Sequence, residues 1–467
     1  MGEYILAERR IPLRGTWDVI VAGGGPAGCA AAAAAAREGV KVLLLEATGA
    51  LGGMGTSGLV PAWCPFSDNK TMIYRGLAET VFNRCKAGMP HVAPEALNWV
   101  PIDAELLKRI YDDLVTGAGA DILFNSTVCA VDMDGDRLST LMVSNKAGLT
   151  AYKASVYIDC TGDADLAAWA GCAFGQGDAA GNVQPATHCF TLANVDVFGH
   201  RHGRRLRGGT DEVMDDILAS GKYPDIPDRH ASNVMVGPGV VGFNAGHLWS
   251  VDNTDPVSVS KALVQGRKIA RAFRDACAEF LPQAFGNAHL VATGSLLGIR
   301  ETRRITGDYV LTLDDYMARR SFADEICRNC YPVDIHTTRE EAEAGDAVEV
   351  MHRFENYRKG ESHGIPYRSL TPKGLLNVLV AGRCISTDRP VQASTRVMPV
   401  CLVMGEAAGV AAAQAVRDTA GDVHAIDTRA LRTTLKRHGA YLPDVEDAGL
   451  AGIGDPTGLA PVVNKVE

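Results

Sequence analysis

A strand–turn–helix–strand unit near the N-terminus constrains the fold of this chain more than any other feature of its sequence. The apolar run 17–22 (WDVIVA) leads into a glycine-rich turn at residues 23–28, and an almost pure alanine stretch continues to residue 36. A second apolar run, residues 40–45, ends in Glu46. This order is typical of the first βαβ unit of a sheet that binds a dinucleotide.

Each polar or flexible position of this unit has a physical role. Gly23 allows the tight turn after the strand, Gly25 lets the backbone approach a pyrophosphate, and Gly28 lets the helix pack closely on the sheet. The helix N-terminus offers free N–H groups to the phosphates. Glu46, roughly 20 residues further on, can accept hydrogen bonds from a ribose diol. Because the first strand, the helix, the second strand and the acid at its end are all in register, the unit predicts dinucleotide binding rather than a glycine-rich surface turn.

Three later segments indicate which dinucleotide is bound. Residues 47–58 (ATGALGGMGTSG) resemble the extended fingerprint of flavoproteins with a glutathione-reductase-like FAD domain. Residues 156–171 (VYIDCTGDADLAAWAG) resemble a strand-ending segment of that superfamily, and residues 375–386 (LLNVLVAGRCIS) resemble its C-terminal flavin-contacting strand. With the segments 298–312 and 364–374, the chain resembles the FAD-dependent oxidoreductase family related to succinate dehydrogenase and fumarate reductase flavoproteins.

The resemblance implies an α/β fold in which a discontinuous Rossmann-like FAD-binding domain carries an inserted, mixed α+β substrate domain. We expect the FAD-binding domain at residues 1–173 and 371–442, and the substrate domain at residues 174–370. The Gly/Asp/Pro-rich tail, residues 443–467, is expected to be weakly ordered.

Local patterns predict several elements. Asp103 is typical of an N-cap, and the helix after it is expected to end near Gly117. Strands are predicted near residues 121–124, 126–133, 137–145 and 152–158, as the small antiparallel sheet that such flavoproteins insert. An amphipathic helix is predicted at residues 257–280.

The motifs and the resemblance together predict a set of cofactor-contacting residues. Arg383 stands where related proteins often have an acid, so a phosphate contact is an open alternative there. Arg396 precedes a helix whose N-terminus would face the flavin, although a structural salt bridge would also explain it. The predicted set is Gly23, Gly25, Pro26, Ala27, Gly28, Glu46, Ala47, Gly52, Gly53, Met54, Thr56, Val128, Thr161, Gly162, Asp163, Gly382, Arg383, Arg396, Val397 and Met398.

Candidates for substrate chemistry are fewer. Arg303 and Arg304 lie in a segment that also holds Arg300 and Glu301, and we expect either an anion clamp or an ion-pair network between the domains. His188 and His247 are candidate general acids or bases, with a structural role as the alternative. Tyr367 and Arg368 are expected in the substrate pocket because their segment resembles the family's return from the substrate domain.

Composition limits the partners. The 467 residues carry a formal net charge of −9, which argues against nucleic acid as a partner. No leader or membrane-spanning segment is evident, so a cytoplasmic protein is expected. Of the 12 cysteines, only Cys327 and Cys330 form a CxxC pair, for which structural, redox and metal roles stay open; no metal is expected. The expected partner is a small-molecule substrate, and a homo-oligomer is left open.

These observations predict an FAD-dependent oxidoreductase that transfers a hydride between flavin N5 and a small organic substrate, anionic if the arginines clamp it. The FAD is expected to be non-covalent, because no histidine follows the glycine pair in GGMGTSG. A non-catalytic electron-relay subunit is the alternative, although the sequence offers no iron–sulfur motif. A purely NAD-dependent dehydrogenase would leave the segments at 161–163 and 381–386 without a role.

Overall fold

A computed structural model describes residues 8, 10–206, 212–340 and 354–446. The strands are β1 Leu13–Ala22, β2 Val42–Leu45, β3 Asp121–Leu123, β4 Thr127–Asp134, β5 Arg137–Asn145, β6 Gly148–Asp159, β7 Phe174–Gln176, β8 Phe190–Ala193, β9 Ala231–Gly237, β10 Val240–Ala245, β11 His289–Thr293, β12 Arg303–Ile305, β13 Glu325–Asn329, β14 His363–Pro366 and β15 Val378–Val380.

The α-helices in the same part of the chain are α1 Pro26–Arg37, α2 Leu77–Ala87, α3 Ala104–Gly117, α4 Asp165–Trp169, α5 Val197–His202, α6 Glu212–Ala219, α7 Pro256–Phe280, α8 Pro282–Phe285, α9 Leu313–Met317, α10 Arg389–Thr395, α11 Met398–Asp418 and α12 Thr428–Arg437. Short 3₁₀ turns form at Gly53–Gly55 and Tyr367–Ser369.

A seven-stranded sheet in the order β3-β2-β1-β6-β5-β4, with β15 also paired to β6, forms the centre of the dinucleotide-binding part. Strands β3, β2, β1, β6 and β15 are parallel. Strand β6 pairs with β1 along one edge, and its other edge is shared by β5 and then β15. This is the Rossmann-like α/β fold that the sequence predicts, with a late strand returning to the sheet built by the N-terminal part.

Helices α1 and α11 cover one face of this sheet and pack on each other through small residues. A Cβ atom at Gly405 would lie 2.1 Å from the Ala27 carbonyl oxygen, and one at Gly409 would lie 2.3 Å from that of Ala31. The two backbones therefore approach at a distance that only glycine permits. By length and composition alone α11 could cross a membrane, but 94% of its most apolar 18-residue window is buried inside the protein.

A second sheet, in the order β11-β8-β10-β9, is antiparallel and packs against α7. Its core includes the stacked rings of Phe190 and Phe243, 4.8 Å apart, with Phe273 of α7 tilted against Phe190. The Asp255 side chain caps α7 by accepting from the Val257 and Ser258 amides. The predicted domain boundaries stay a prediction.

Most of the locally encoded elements are confirmed. The Asp103 side chain accepts from the Glu105 and Leu106 amides and caps α3, which ends at Gly117. The predicted amphipathic helix is α7, beginning one residue earlier at Pro256. The predicted antiparallel pairing is confirmed for β4, β5 and β6, whereas β3 pairs parallel with β2. Strand β6 also pairs with β1, which joins β4 and β5 to the parallel sheet. Residues 447–467 of the predicted tail lie outside the described residues.

Candidate functional site

A cavity of about 1180 Å³ opens where the carboxyl ends of β1, β2, β6 and β15 meet. These ends are in register: Ala22 pairs with Leu45 and with Asp159, and Asp159 pairs with Val380. Ligands of open α/β sheets bind outside the carboxyl ends of the strands. The cavity exceeds the roughly 300–1000 Å³ common for one small ligand, so it has room for a dinucleotide and a substrate.

The turn after β1 forms one wall of the cavity. Gly25 is the N-cap of α1 in extended conformation, Pro26 follows, and the first turn of α1 has neither a capping side chain nor an acidic residue. The amide groups at this helix end are therefore available to phosphate oxygens. A Cβ atom at Gly28 would lie 1.8 Å from the Gly23 carbonyl oxygen, so this glycine is required for the helix to leave the turn.

Glu46 ends β2 and lies at the same edge of the sheet. Its carboxylate accepts from the Gly24 amide at 2.7 Å and from the Thr48 amide at 2.7 Å. These bonds fix the carboxylate between the glycine turn and the loop after β2, and Glu46 lines the cavity.

Asp163 and Arg383 form a buried ion pair in the loops after β6 and β15. The Arg383 Nη2 atom donates to Asp163 Oδ1 at 2.6 Å, and the same carboxylate accepts from Thr302 at 2.7 Å and Asn253 at 2.7 Å. The Arg383 Nε atom is buried and has no partner among the described residues. The Arg383 head group is thus held by Asp163 at the edge of the cavity, which Arg383 also lines.

Arg396 and the start of α11 form another part of the cavity wall. The Arg396 Nη2 atom donates to the Asp334 carbonyl at 3.0 Å and to Asp334 Oδ2 at 3.1 Å. Val397 is the N-cap of α11 and makes no side-chain cap bond, so the amides of this helix end also lack a capping partner. The salt bridge proposed as the alternative for Arg396 is present, and Arg396 lines the cavity as well.

The structure brings most of the predicted cofactor residues together. Gly28, Gly52 and Thr56 are the exceptions, because they lie behind the cavity wall, where the Thr56 hydroxyl donates to Leu51 O at 2.6 Å and the Gly52 amide to Gly24 O at 2.7 Å. The predicted residues that line the cavity are Gly23, Gly25, Pro26, Ala27, Glu46, Ala47, Gly53, Met54, Val128, Thr161, Gly162, Asp163, Gly382, Arg383, Arg396, Val397 and Met398.

Arg303 and Arg304 are placed away from the cavity, which corrects their assignment as an anion clamp. Both belong to β12, which pairs with β7, and neither lines the cavity. Arg303 donates to Asp165 at 2.8 Å, and Arg304 donates to Glu301 at 2.6 Å. Their ion pairs match the alternative, a charged network. Arg300 of the same segment lines the cavity instead.

Three more predicted catalytic side chains lie outside the cavity. His188 is buried against Gly266, with its Nε2 atom 2.7 Å from Gly294 O. Tyr367 donates to Val423 O at 2.8 Å, and Arg368 pairs with Asp324 at 2.9 Å. Tyr367 and Arg368 line a separate depression of about 340 Å³, so the expectation that they reach the substrate pocket is wrong.

His247 does line the cavity, and it belongs to a group of side chains that the sequence did not reveal. The antiparallel pairing of Ala231 with Ala245 and the bond from the Gly246 amide to His230 O bring His230 beside His247. His336 arrives from the loop after β13. Nitrogen atoms of the three rings lie within 4.8 Å of one another. The three histidines come from distant segments, so no spacing in the sequence predicts the group.

Burial keeps these histidines neutral. Desolvation lowers the pKa of His230 well below its usual value and lowers that of His247, although Asp228 opposes the shift at His247. Burial and the nearby charge of Arg300 lower the pKa of His336 to about 3. Burial opposes ionisation of Asp334, but the adjacent His336, Arg396 and Arg300 hold the pKa of this carboxyl below its usual range.

The Cys327–Cys330 pair is placed in the protein interior. Both thiols are free and buried. Burial raises the pKa of Cys327 well above its usual value and that of Cys330 to about 12, so neither is a thiolate at neutral pH. This setting favours the structural role over the redox and metal alternatives.

The chain belongs to the FAD-dependent oxidoreductases, since the model of that family, described as FAD dependent oxidoreductase, matches residues 18–435. The match confirms the predicted family, its oxidoreductase class and FAD as the cofactor. The cavity fits this cofactor, because two uncapped helix ends and Glu46 lie along it.

The solved structures that match this chain are distant in sequence. A geranylgeranyl bacteriochlorophyll reductase-like protein from Thermoplasma acidophilum is 12% identical, with a TM-score of 0.44, 91% of this chain and 88% of that chain covered. The p-nitrophenol 4-monooxygenase PnpA from Pseudomonas putida DLL-E4 is 13% identical, with a TM-score of 0.43 and coverage of 91% and 85%. The flavin-dependent monooxygenase PieE, solved with FAD and substrate, is 16% identical, with a TM-score of 0.39 and coverage of 64% and 52%.

Proposed function

We propose that this chain catalyses hydride transfer between flavin N5 and a small anionic substrate whose negative group binds at Arg300. FAD, when bound, supplies the ring atom that accepts or donates the hydride. The protein supplies the anion site, a cavity wall that excludes water, and side chains that hold a proton near the substrate. The observation that carries this proposal is that Arg300 is buried, lines the cavity and has only neutral hydrogen-bond partners.

Arg300 is 6% exposed, and its hydrogen bonds go to uncharged groups. The Nη1 atom donates to Pro185 O at 2.7 Å and to Thr187 Oγ1 at 2.9 Å. Among the described residues, no carboxylate forms an ion pair with it within 4.0 Å, unlike Arg303, Arg304, Arg383 and Arg396. Burial lowers the pKa of Arg300 to about 10, so the side chain is still cationic at neutral pH.

A buried cation whose hydrogen-bond partners are all neutral is costly, and a carboxylate or phosphate of the substrate in direct contact with it would offset that cost. Planar guanidinium groups bind such anions with two parallel hydrogen bonds. Arg300 lies in the same cavity as the glycine turn and the start of α11, so one cavity would hold both the cofactor and the substrate. A cavity of this kind also favours an enzyme over the electron-relay alternative, for which no closed substrate pocket is expected.

The test compares Arg300→Gln with Arg303→Gln, a matched change three residues away and outside the cavity. We expect Arg300→Gln to lower kcat/KM by roughly 10- to 100-fold, about 1.5–3 kcal/mol for a charged hydrogen bond, with FAD content near wild type. Arg303→Gln should leave KM unchanged and lower thermal stability through loss of the Asp165 ion pair. Equal kinetic effects of the two variants, or wild-type kinetics in Arg300→Gln, would contradict the proposal.

A further inference from the structure

Asp228, His247, His336 and Asp334 form a linear chain along the cavity wall. Asp228 Oδ2 lies 2.7 Å from His247 Nδ1, and His247 Nε2 lies 2.9 Å from His336 Nδ1. At the far end, His336 Nε2 is 3.7 Å from Asp334 Oδ1, which is longer than a hydrogen bond. The chain therefore has two short contacts and one open contact.

Counting protons explains why one contact is open. Each of the three contacts needs one N–H, and two neutral imidazoles carry one N–H each. The short contacts use both protons when His247 donates from Nδ1 to Asp228 and His336 donates from Nδ1 to His247 Nε2. This leaves His336 Nε2 without a proton beside the Asp334 carboxylate. One additional proton would complete the third hydrogen bond and place an imidazolium between two carboxylates.

The surrounding charges decide when that proton can be held. Arg300 disfavours a further positive charge on the two histidines, whereas Asp228 and Asp334 favour it, and Arg396 already pairs with Asp334. His230 stacks on His247 with ring centroids 4.3 Å apart and an interplanar angle of 14°. An anion bound at Arg300 would offset the arginine's charge and shift this balance towards protonation.

We propose that the chain formed by Asp228, His247, His336 and Asp334 takes up one proton from solvent when an anionic substrate binds at Arg300. This inference rests on the proposed anion site. The added proton forms the Nε2–H of His336 and its hydrogen bond to Asp334, and no other bond changes. The proton is then held in the cavity that receives the substrate, where a substrate atom can accept it or return it during turnover.

Metal binding by the same histidines is the competing explanation of the group. Ligand nitrogens must point their lone pairs at one ion, as in tetrahedral histidine sites. The nearly parallel rings of His230 and His247 carry lone pairs in parallel planes, which do not converge on one point. The 2.9 Å contact between His247 and His336 also uses the lone pair of one nitrogen for a hydrogen bond. The geometry therefore favours a proton chain.

The experiment is isothermal titration calorimetry of the FAD-loaded protein with sulfate and with acetate, in buffers that differ in ionisation enthalpy. The wild type is expected to take up a fraction of one proton per bound anion at about pH 5, and less as the pH rises, since His336 is the group that charges and burial still opposes its charging. His336→Gln should bind the anions within several-fold of wild type without proton uptake. His289→Gln, an exposed histidine on β11, is the matched control and should behave as wild type.

A histidine-selective nuclear magnetic resonance titration keeps the test independent of how His336→Gln folds. In the wild-type protein, one histidine should gain its second proton at higher pH when sulfate is present. Anion binding with no proton uptake and no such shift would overturn the proton chain and leave the proposed function standing. No binding of either anion, or binding unaffected by Arg300→Gln, would overturn both. One tightly held zinc ion per protein molecule would overturn the proposed proton uptake and leave the proposed function standing.

Discussion

Two glycines of the first turn offer a matched pair of substitutions that separates folding from cofactor binding. Gly25 has a φ of −70°, and a Cβ atom there would meet nothing within 4 Å. Gly28 lies in the first turn of α1. A Cβ atom there would lie 1.8 Å from Gly23 O and 3.2 Å from the Cys160 Cβ. One added methyl group thus enters the cavity at Gly25 and the packed turn at Gly28.

The expected effects differ in kind. Gly25→Ala should leave the apoprotein's urea midpoint unchanged, because its backbone conformation suits alanine, and should weaken FAD binding by about tenfold or more, about 1.4 kcal/mol. Gly28→Ala must move the turn away from α1, which should cost about 3 kcal/mol or more of stability, the upper range of overpacking effects. Its FAD binding should weaken as a consequence.

The assay is urea unfolding of each apoprotein, followed by FAD titration with flavin fluorescence. Wild-type FAD affinity in Gly25→Ala would refute the assignment of this turn as the phosphate-binding wall. A wild-type urea midpoint in Gly28→Ala would refute the steric reasoning about the helix start.

Two further predictions concern Glu406 and the cofactor's attachment. Glu406 is buried and accepts from the Leu77 amide at 2.9 Å, and burial raises its pKa to about 7. Because the folded pKa exceeds the unfolded one, ionisation destabilises the fold as the pH rises from about 4.5 through about 7. Glu406→Gln should therefore gain about 2–3 kcal/mol over wild type between about pH 5 and pH 8 in urea unfolding, whereas the exposed control Glu95→Gln should gain nothing. Acid denaturation should release the FAD into the supernatant, and flavin retained in the pellet would show a covalent link.

The sequence predicts the cofactor wall because its determinants are local. The glycine spacing, the strand before it and the acid at position 46 lie within one βαβ unit, and the pairing of Ala22 with Leu45 follows from that unit's geometry. The motifs also predict cofactor contacts at Gly28, Gly52 and Thr56, but in the structure these residues lie behind the cavity wall and hold the turn in place.

The substrate wall could not be predicted because it forms only through distant pairings. Whether Arg300 or Arg303 reaches the cavity depends on the pairing of β12 with β7, which the local sequence does not specify. His230 meets His247 through the β9–β10 register, and His336 joins them from a separate loop. Single histidines in unrelated segments carry no spacing signal that would have identified the group.

The central claim is that a small anion is oxidised or reduced directly by the flavin in this cavity. The most direct measurement is anaerobic mixing of the FAD-loaded protein with a panel of small carboxylates and phosphate esters, while the visible flavin absorbance is followed without NADH or NADPH. At least one compound should either bleach the oxidised flavin in wild type or restore the absorbance of flavin reduced beforehand by light, and Arg300→Gln should need a much higher concentration of it. The contradicting result is a flavin that no compound bleaches, that NADH or NADPH reduces readily, and that then inserts oxygen into an added substrate.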